Sequence, residues 1–151
     1  MRKQIHLGTP PVDNDYYDEN QFKRYTLSRL LLFVFGSNLR GIHGKGAALE
    51  ASCNYGAIRG IGVGIQGSSY AIPTKDKNIR TLPLDKIEPY IKDFVSYTLV
   101  SKVGFFVTGV GTGLAGYKPK DIAPMFKGAK NCWFPKTWRK YIEEVKEEDN
   151  E

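Results

Sequence analysis

Two stretches of the chain combine glycine with residue types that hold phosphate: Phe35–Ala48 (FGSNLRGIHGKGAA) and Thr108–Ala123 (TGVGTGLAGYKPKDIA). Glycine lets the main chain come close to a ligand, and the N–H groups that open a following helix can receive an anion. In the first stretch Gly36, Ser37 and Asn38 end an apolar run, and Gly44, Lys45, Gly46 and Ala47 lead into a helix. In the second, Gly109, Gly111, Thr112, Gly113, Leu114, Ala115 and Gly116 leave a run of backbone donors able to wrap a pyrophosphate. Tyr117 closes that loop, where it could lie against a ribose or a phosphate. Neither stretch is a P-loop (GxxxxGKS/T) or a GxGxxG turn in the dinucleotide-binding register.

Three side chains near these loops are candidates for catalysis. His43 stands between glycines and could act as a base or phosphate ligand near neutral pH, against the commoner fate of a solvated loop histidine. Lys75 leaves the end of a short buried strand and could neutralise phosphate, as Lys45 could from the first loop, against the commoner fate of a surface lysine. Asp76 could orient Lys75 or act as a base; a turn-forming aspartate is the plainer reading. Trp133, Phe134 and Trp138 read as core rather than as a stacking platform.

The elements that must position these residues follow from the apolar pattern. Leu30–Phe35 and Val103–Thr108 are continuous apolar runs, as in strands buried on both faces of a parallel sheet. Shorter strands are expected at Lys3–Leu7, Ser69–Pro73 and Asn131–Phe134. Ala47–Asn54 reads as a helix stopped near Gly56 by a left-handed cap. Leu84–Ser101 is the clearest helix, with Leu84, Ile87, Ile91, Phe94, Val95, Thr98 and Leu99 at the helical period, and with Asp85 and Glu88 at capping-box spacing. Pro89 is tolerable if that helix begins close before it. Lys120–Phe126 and Thr137–Val145 are further helices, residues 9–29 an irregular surface segment, and 146–151 a frayed tail. Strand and helix alternate, which predicts one α/β domain over 1–151 with a mostly parallel sheet. Ligands of such sheets bind at the carboxyl ends of the strands, where both glycine loops fall.

Composition narrows the partners. The 151 residues suit one domain with a conventional core. Twenty-two Lys plus Arg against 16 Asp plus Glu give a net charge of +6, which favours anionic ligands, although the charges are scattered and form no basic run. Cys53 and Cys132, far apart in apolar settings, read as small buried residues of a reducing compartment. No Cys/His cluster suggests a metal, and no cofactor beyond the bound nucleotide is expected. The amino terminus lacks the apolar core of a signal peptide and no run is long enough to cross a bilayer, so a cytoplasmic protein without membrane contact is expected.

The pair of loops resembles the macrodomain family, which binds ADP-ribose. Phe35-Gly36-Ser37-Asn38 followed by Gly44-Lys45-Gly46-Ala47-Ala48 is similar to that family's strand, asparagine and glycine-loop signature. Gly111–Tyr117 followed by Lys120-Asp121-Ile122-Ala123 is similar to its second phosphate loop and helix, and Tyr70–Lys75 resembles the branch related to the terminal ADP-ribose protein glycohydrolase. The resemblance spans about residues 30–126 and implies a three-layer α/β/α fold with a mixed, mostly parallel sheet. It further implies that Asn38 contacts the distal ribose, that the amides around Gly44–Ala47 and Gly111–Gly116 hold the diphosphate, and that Lys75 is the reactive lysine. Two positions depart from it: Ala115 stands where that branch has an acidic residue, and no Gly-Asp-Ile adenine motif precedes the Asn38 strand. The expectation is a protein that binds ADP-ribose or a close derivative, free or on an ADP-ribosylated protein, with hydrolysis at the distal ribose open. A non-catalytic nucleotide-binding module is the alternative, and a basic nucleic-acid-binding domain the weaker one.

Overall fold

The computed structural model describes residues 3–143. Its main sheet has six strands: β2 (Asp15–Tyr17), β4 (Leu31–Asn38), β5 (Gly64–Gln66), β6 (Ser69–Lys75), β7 (Gly104–Val107) and β8 (Cys132–Pro135). They lie in the order β2-β8-β7-β4-β6-β5, and every neighbouring pair is parallel except β5 with β6. A separate parallel pair joins β1 (Ile5–Leu7) to β3 (Tyr25–Leu27). The expected α/β fold with a mostly parallel, mixed sheet is what the chain adopts.

Two core clusters form because side chains alternate across the strands. Val34, Ile72, Phe105 and Val107 face one cluster, where helix α2 (Leu84–Val100) lays down Ile87, Ile91, Phe94 and Val95. Leu31, Phe33, Phe35, Ala71 and Phe106 face the other, covered by α1 (Gly46–Asn54) through Ala48 and Ala51 and by Leu7 and Tyr17. Each fully buried aliphatic or aromatic side chain of α2 contributes about 1.5–3 kcal/mol of hydrophobic transfer. Phe94 sits at the centre, edge-on to Tyr70, Phe105 and Phe126.

Several sequence expectations need correction. Residues 9–29 are not wholly irregular: β2 pairs with β8, β3 pairs with β1, and Glu19–Arg24 is a 3-10 turn capped by Asp18, whose side chain accepts from Asn20. Tyr17 drives this, buried against Phe106 with its hydroxyl donating to the Val107 carbonyl at 2.7 Å. Leu99 points to solvent, so the buried stripe of α2 ends at Thr98. Asp85 and Glu88 form no capping box; Pro83 is the N-cap, without a side-chain hydrogen bond. Pro89 lies inside the helix on an exposed position, where water can serve the Asp85 carbonyl it leaves unpaired. The helix expected at Lys120–Phe126 is shorter and starts earlier: α3 (Pro119–Ile122) followed by a 3-10 turn, Ala123–Phe126. The charged terminal helix is a 3-10 turn (Lys136–Trp138) and α4 (Arg139–Ile142); its expected end at Val145 and the tail lie outside the described residues. Cys132 is buried, its thiol pushed well up by burial, but Cys53 is exposed.

Among the described residues no helix is long and apolar enough to cross a membrane.

Candidate functional site

The parallel strands β4, β6 and β7 all end at one rim, and their carboxyl-terminal loops enclose a cleft of about 630 Å3. That volume is within the usual range for small-molecule sites. Loop one, after β4, lines it with Ile42 and Gly44–Ala48; the end of β4 itself adds Gly36, Ser37 and Asn38. Loop two, after β7, adds Thr108–Gly111 and Gly113–Ala115, while the end of β6 and the turn after it contribute Thr74, Lys75 and Ile79. Two strands on opposite sides of β4 thus deliver their loops to one crevice, the arrangement that creates ligand sites in open α/β sheets.

Loop one is braced from within. The Asn38 amide accepts from the Ile42 N–H at 3.0 Å and donates to the Ile42 carbonyl at 2.7 Å, so its first task is to hold the loop. Ser37 donates its hydroxyl to the Gly62 carbonyl and is not offered to a ligand. Lys45 is the N-cap of α1 in extended conformation, and no side chain caps the helix. The main-chain N–H groups of Gly44, Lys45, Gly46, Ala47 and Ala48 donate to no group among the described residues, and all five residues line the cleft. An uncapped helix start carries partial positive charge as well as free donors.

Loop two repeats the device without a helix. Its internal bonds run from Val110 N–H to the Thr108 carbonyl, Thr112 to Gly109, Gly116 to Gly113 and Tyr117 to Gly111. What remains uncommitted is the set Gly109, Gly111, Gly113, Leu114 and Ala115, and each of these lines the cleft. Such convergent amides make an anion nest. Thr112, Gly116 and Tyr117 stand outside the lining. The Thr112 hydroxyl turns back to the Gly109 carbonyl at 2.7 Å. The Tyr117 hydroxyl donates to the Leu82 carbonyl at 2.7 Å, so it pins the loop to the segment before α2.

Of the charged candidates, Lys75 reaches the cleft. A register shift between Ser37 and Asn38 sets Asn38 opposite Lys75, and the Leu39 N–H bonds to the Lys75 carbonyl at 2.9 Å, tying loop one to the end of β6. Lys45 and Lys75 are the charged residues of the lining, which holds no carboxylate. Asp76 takes the turn role: one carboxylate oxygen accepts from the Asn78 and Arg80 N–H groups at 2.8 and 3.0 Å. His43 is not a loop base. It is 7% exposed, edge-on to Phe35 and 3.0 Å from the Ile58 carbonyl through Nε2, while buried Nδ1 has no partner among the described residues. Its ring fastens loop one to residues 56–62 and lies outside the cleft lining.

Sequence reasoning missed the apolar wall formed by Ile42, Val110 and Ile79, and a second compartment. An aromatic recess of about 540 Å3 shares Gly46 and Ala47 with the cleft and is walled by Phe22, Tyr25, Phe33, Tyr55 and Phe106. No spacing signal announces it, because these rings come from five separate places in the chain. A third cavity, between Asp18–Asn20 and Lys136–Glu143, is as large as the cleft, but its walls satisfy one another: Arg139 pairs with Glu143 at 2.9 Å, and Thr137 bonds Glu19. The cleft is favoured because its donors are free. Among the described residues no cluster of His, Cys, Asp and Glu could hold a metal ion.

No family model, no curated protein and no solved structure matches the chain.

Proposed function

We propose that the cleft binds ADP-ribose or a close derivative, with the diphosphate on the amides of the two loops. The observation that carries this reading is the convergence of uncommitted amides, Gly44–Ala48 from one side and Gly109, Gly111, Gly113, Leu114 and Ala115 from the other, on one cavity whose lining among the described residues contains two lysines and no carboxylate. A diphosphate supplies the acceptors and charge such a nest lacks. The resemblance of these loops to macrodomain loops, with the three-layer arrangement it implies, supports the same ligand. Its distal ribose would lie towards Asn38 and Lys75. A nucleotide still attached to a protein in the cytoplasm would enter through the same mouth.

The lining favours a binder over a hydrolase. Releasing a carboxyl-linked ADP-ribose through Lys75 needs an amine to attack and a carboxylate to manage protons beside it. Ala115 supplies no carboxylate, Asp76 is turned into its own loop, and His43 faces away. Little release of glutamate-linked ADP-ribose is therefore expected. The test is calorimetry with a thermal-shift series: ADP-ribose at about 100 times its dissociation constant should add about 2.7 kcal/mol of stability. No shift at millimolar ligand overturns the reading. Robust release from glutamyl-ADP-ribosylated protein, lost in Lys75→Ala, would make the protein a hydrolase instead. Affinity that collapses steeply with salt would point to nucleic acid.

A further inference from the structure

Charges that are scattered along the sequence are gathered by the fold. Arg40 and Lys45 stand on loop one, and Arg59 on the segment 56–63, which is tied to that loop by the Gly60 N–H on the Gly41 carbonyl at 2.9 Å. Lys75, Lys77 and Arg80 end β6 and its turn, and Lys118 and Lys120 follow loop two. Thr81 joins these two regions by donating its hydroxyl to the Ala115 carbonyl at 3.1 Å. The segments 39–45, 56–63, 75–81 and 109–121 therefore form the rim of the cleft at the carboxyl ends of the strands, and they hold eight Lys or Arg against Asp76 and Asp121, an excess of six. Of the chain's 22 Lys plus Arg and 16 Asp plus Glu, 14 and 14 remain elsewhere and cancel. The whole net charge of +6 is thus the charge of the rim.

A solubilising surface mixes its signs, as α2 does with Asp85, Lys86, Glu88, Lys92 and Asp93. The rim does not. Its two acids are engaged with main chain: Asp76 accepts from the Asn78 and Arg80 N–H groups, and Asp121 from the Lys118 N–H at 3.1 Å. Among the described residues none of the eight cations forms an ion pair, and all but half-buried Lys75 are exposed. Like charges gathered without partners repel one another, and an anionic partner relieves that repulsion.

The uncharged side chains of the rim distinguish between anions. Ile58 precedes Arg59 and Ile79 precedes Arg80, and with Ile61 and Leu114 they are the large aliphatics that these loops expose beside the cations. Single-stranded nucleic acid calls for exposed rings on which bases stack. Here His43 is buried, and Tyr117 packs against the core with its hydroxyl on Leu82. Apolar side chains edged by arginine suit a protein partner, and a guanidinium fork matches a carboxylate. We infer that the rim is a docking surface for an acidic polypeptide segment, with its carboxylates on Arg40, Arg59, Lys77 and Arg80 and its apolar side chains on the exposed aliphatics. Charge and exposure define this surface, whatever ligand the cleft holds.

The experiment is calorimetry on the full chain at low ionic strength with three probes: a peptide repeating Asp-Glu-Leu, its Asn-Gln-Leu counterpart of the same length, and oligothymidylate of matched charge. Wild type should bind the acidic peptide at least about tenfold more tightly than either of the others. Two paired reversals test the rim from both sides, Arg40→Glu with Arg59→Glu and Lys77→Glu with Arg80→Glu. Each pair should weaken the acidic peptide about tenfold. All four side chains are exposed, so both variants should keep the melting temperature of wild type. Lys92→Glu with Lys102→Glu changes the net charge equally, away from the rim, and should weaken the peptide about twofold or less. Equal losses in this control and in the rim variants would reduce the effect to net charge and overturn the proposal. Equal binding of the neutral peptide, or no binding of the acidic one, would also overturn it. Oligothymidylate bound more tightly than the acidic peptide would make the rim a nucleic-acid surface instead. None of these titrations contains a nucleotide of the cleft's kind, so failure here leaves the reading of the cleft untouched.

Discussion

Two parts of this chain are equally rich in glycine and use it for opposite purposes. In residues 56–67, Gly56, Gly62 and Gly67 permit main chain to touch main chain. A methyl group on Gly62 would overlap the Asn38 carbonyl oxygen, and one on Gly67 would stand 2.6 Å from the Gly56 oxygen. In the loop after β7, a methyl on Gly113 meets no atom of the described residues within 4 Å, and Gly113 lines the cleft. Gly62 and Gly67 are glycine because the protein fills the space; Gly113 leaves space for something else. Composition alone does not separate the two, and a count of neighbouring atoms does.

The contrast is broken most severely at Gly62. Gly62→Ala forces the 56–62 segment away from Asn38, and overpacking of this kind costs on the order of 3 kcal/mol. At this chain length that is about 6–12 °C of melting temperature. Because Asn38 and His43 are both held by this segment or beside it, loop one should loosen with it. A melting temperature within about 2 °C of wild type would show that the segment is not the support described. Gly113→Val sharpens the comparison from the other side. It should keep the circular dichroism spectrum and melting temperature of wild type and lower ADP-ribose affinity at least about 100-fold, roughly the loss of two hydrogen bonds to charged groups. Normal binding would place the ligand elsewhere. Gly46→Val is a poorer probe, because Gly46 has φ +57° and a valine there would strain the backbone as well as occupy the cleft.

The smallest effect is alkaline, and it separates stability from the nest. Tyr16 is pushed up to about 12 by burial and then by the Glu143 charge, and Tyr17 is raised well above its ordinary range by burial. The folded state therefore keeps these protons longer than the unfolded chain does. Stability is fully present below about pH 10 and is lost as pH rises towards about 12. Denaturant midpoints on either side of about pH 10 should fall in that order, whereas the main-chain donors of the nest do not titrate. A midpoint that rises through this window would contradict the burial of both phenols.

The strands and the two loops were legible in the sequence because β4 and β7 are long apolar runs and α2 repeats at the helical period over seventeen residues. Glycines directly after such runs fall where ligands bind, so most of the cleft lining could be named in advance. The edge of the sheet could not. β2 is three residues long, and its pairing is set by β8, far along the chain, rather than by local pattern. His43 looked catalytic because it stands among glycines, yet its burial depends on Ile58 and Phe35, which spacing cannot reveal. The recess was hidden for the same reason.

The pairing of β2 with β8 also has a consequence in time. The Asn14 side chain accepts from the Cys132 N–H at 2.8 Å across 118 residues, and Asp15 is in register with Trp133. On a ribosome adding about 5–20 residues per second, the first of these segments waits on the order of 6–24 s for the second. Through that interval Tyr17 has no Val107 carbonyl to bond until β7 emerges, and afterwards β7 exposes an unpaired apolar edge until β8 arrives. The sheet is thus closed last at the place where the earliest and latest strands meet, and a chaperone that shields apolar edges would find its longest-lived target there.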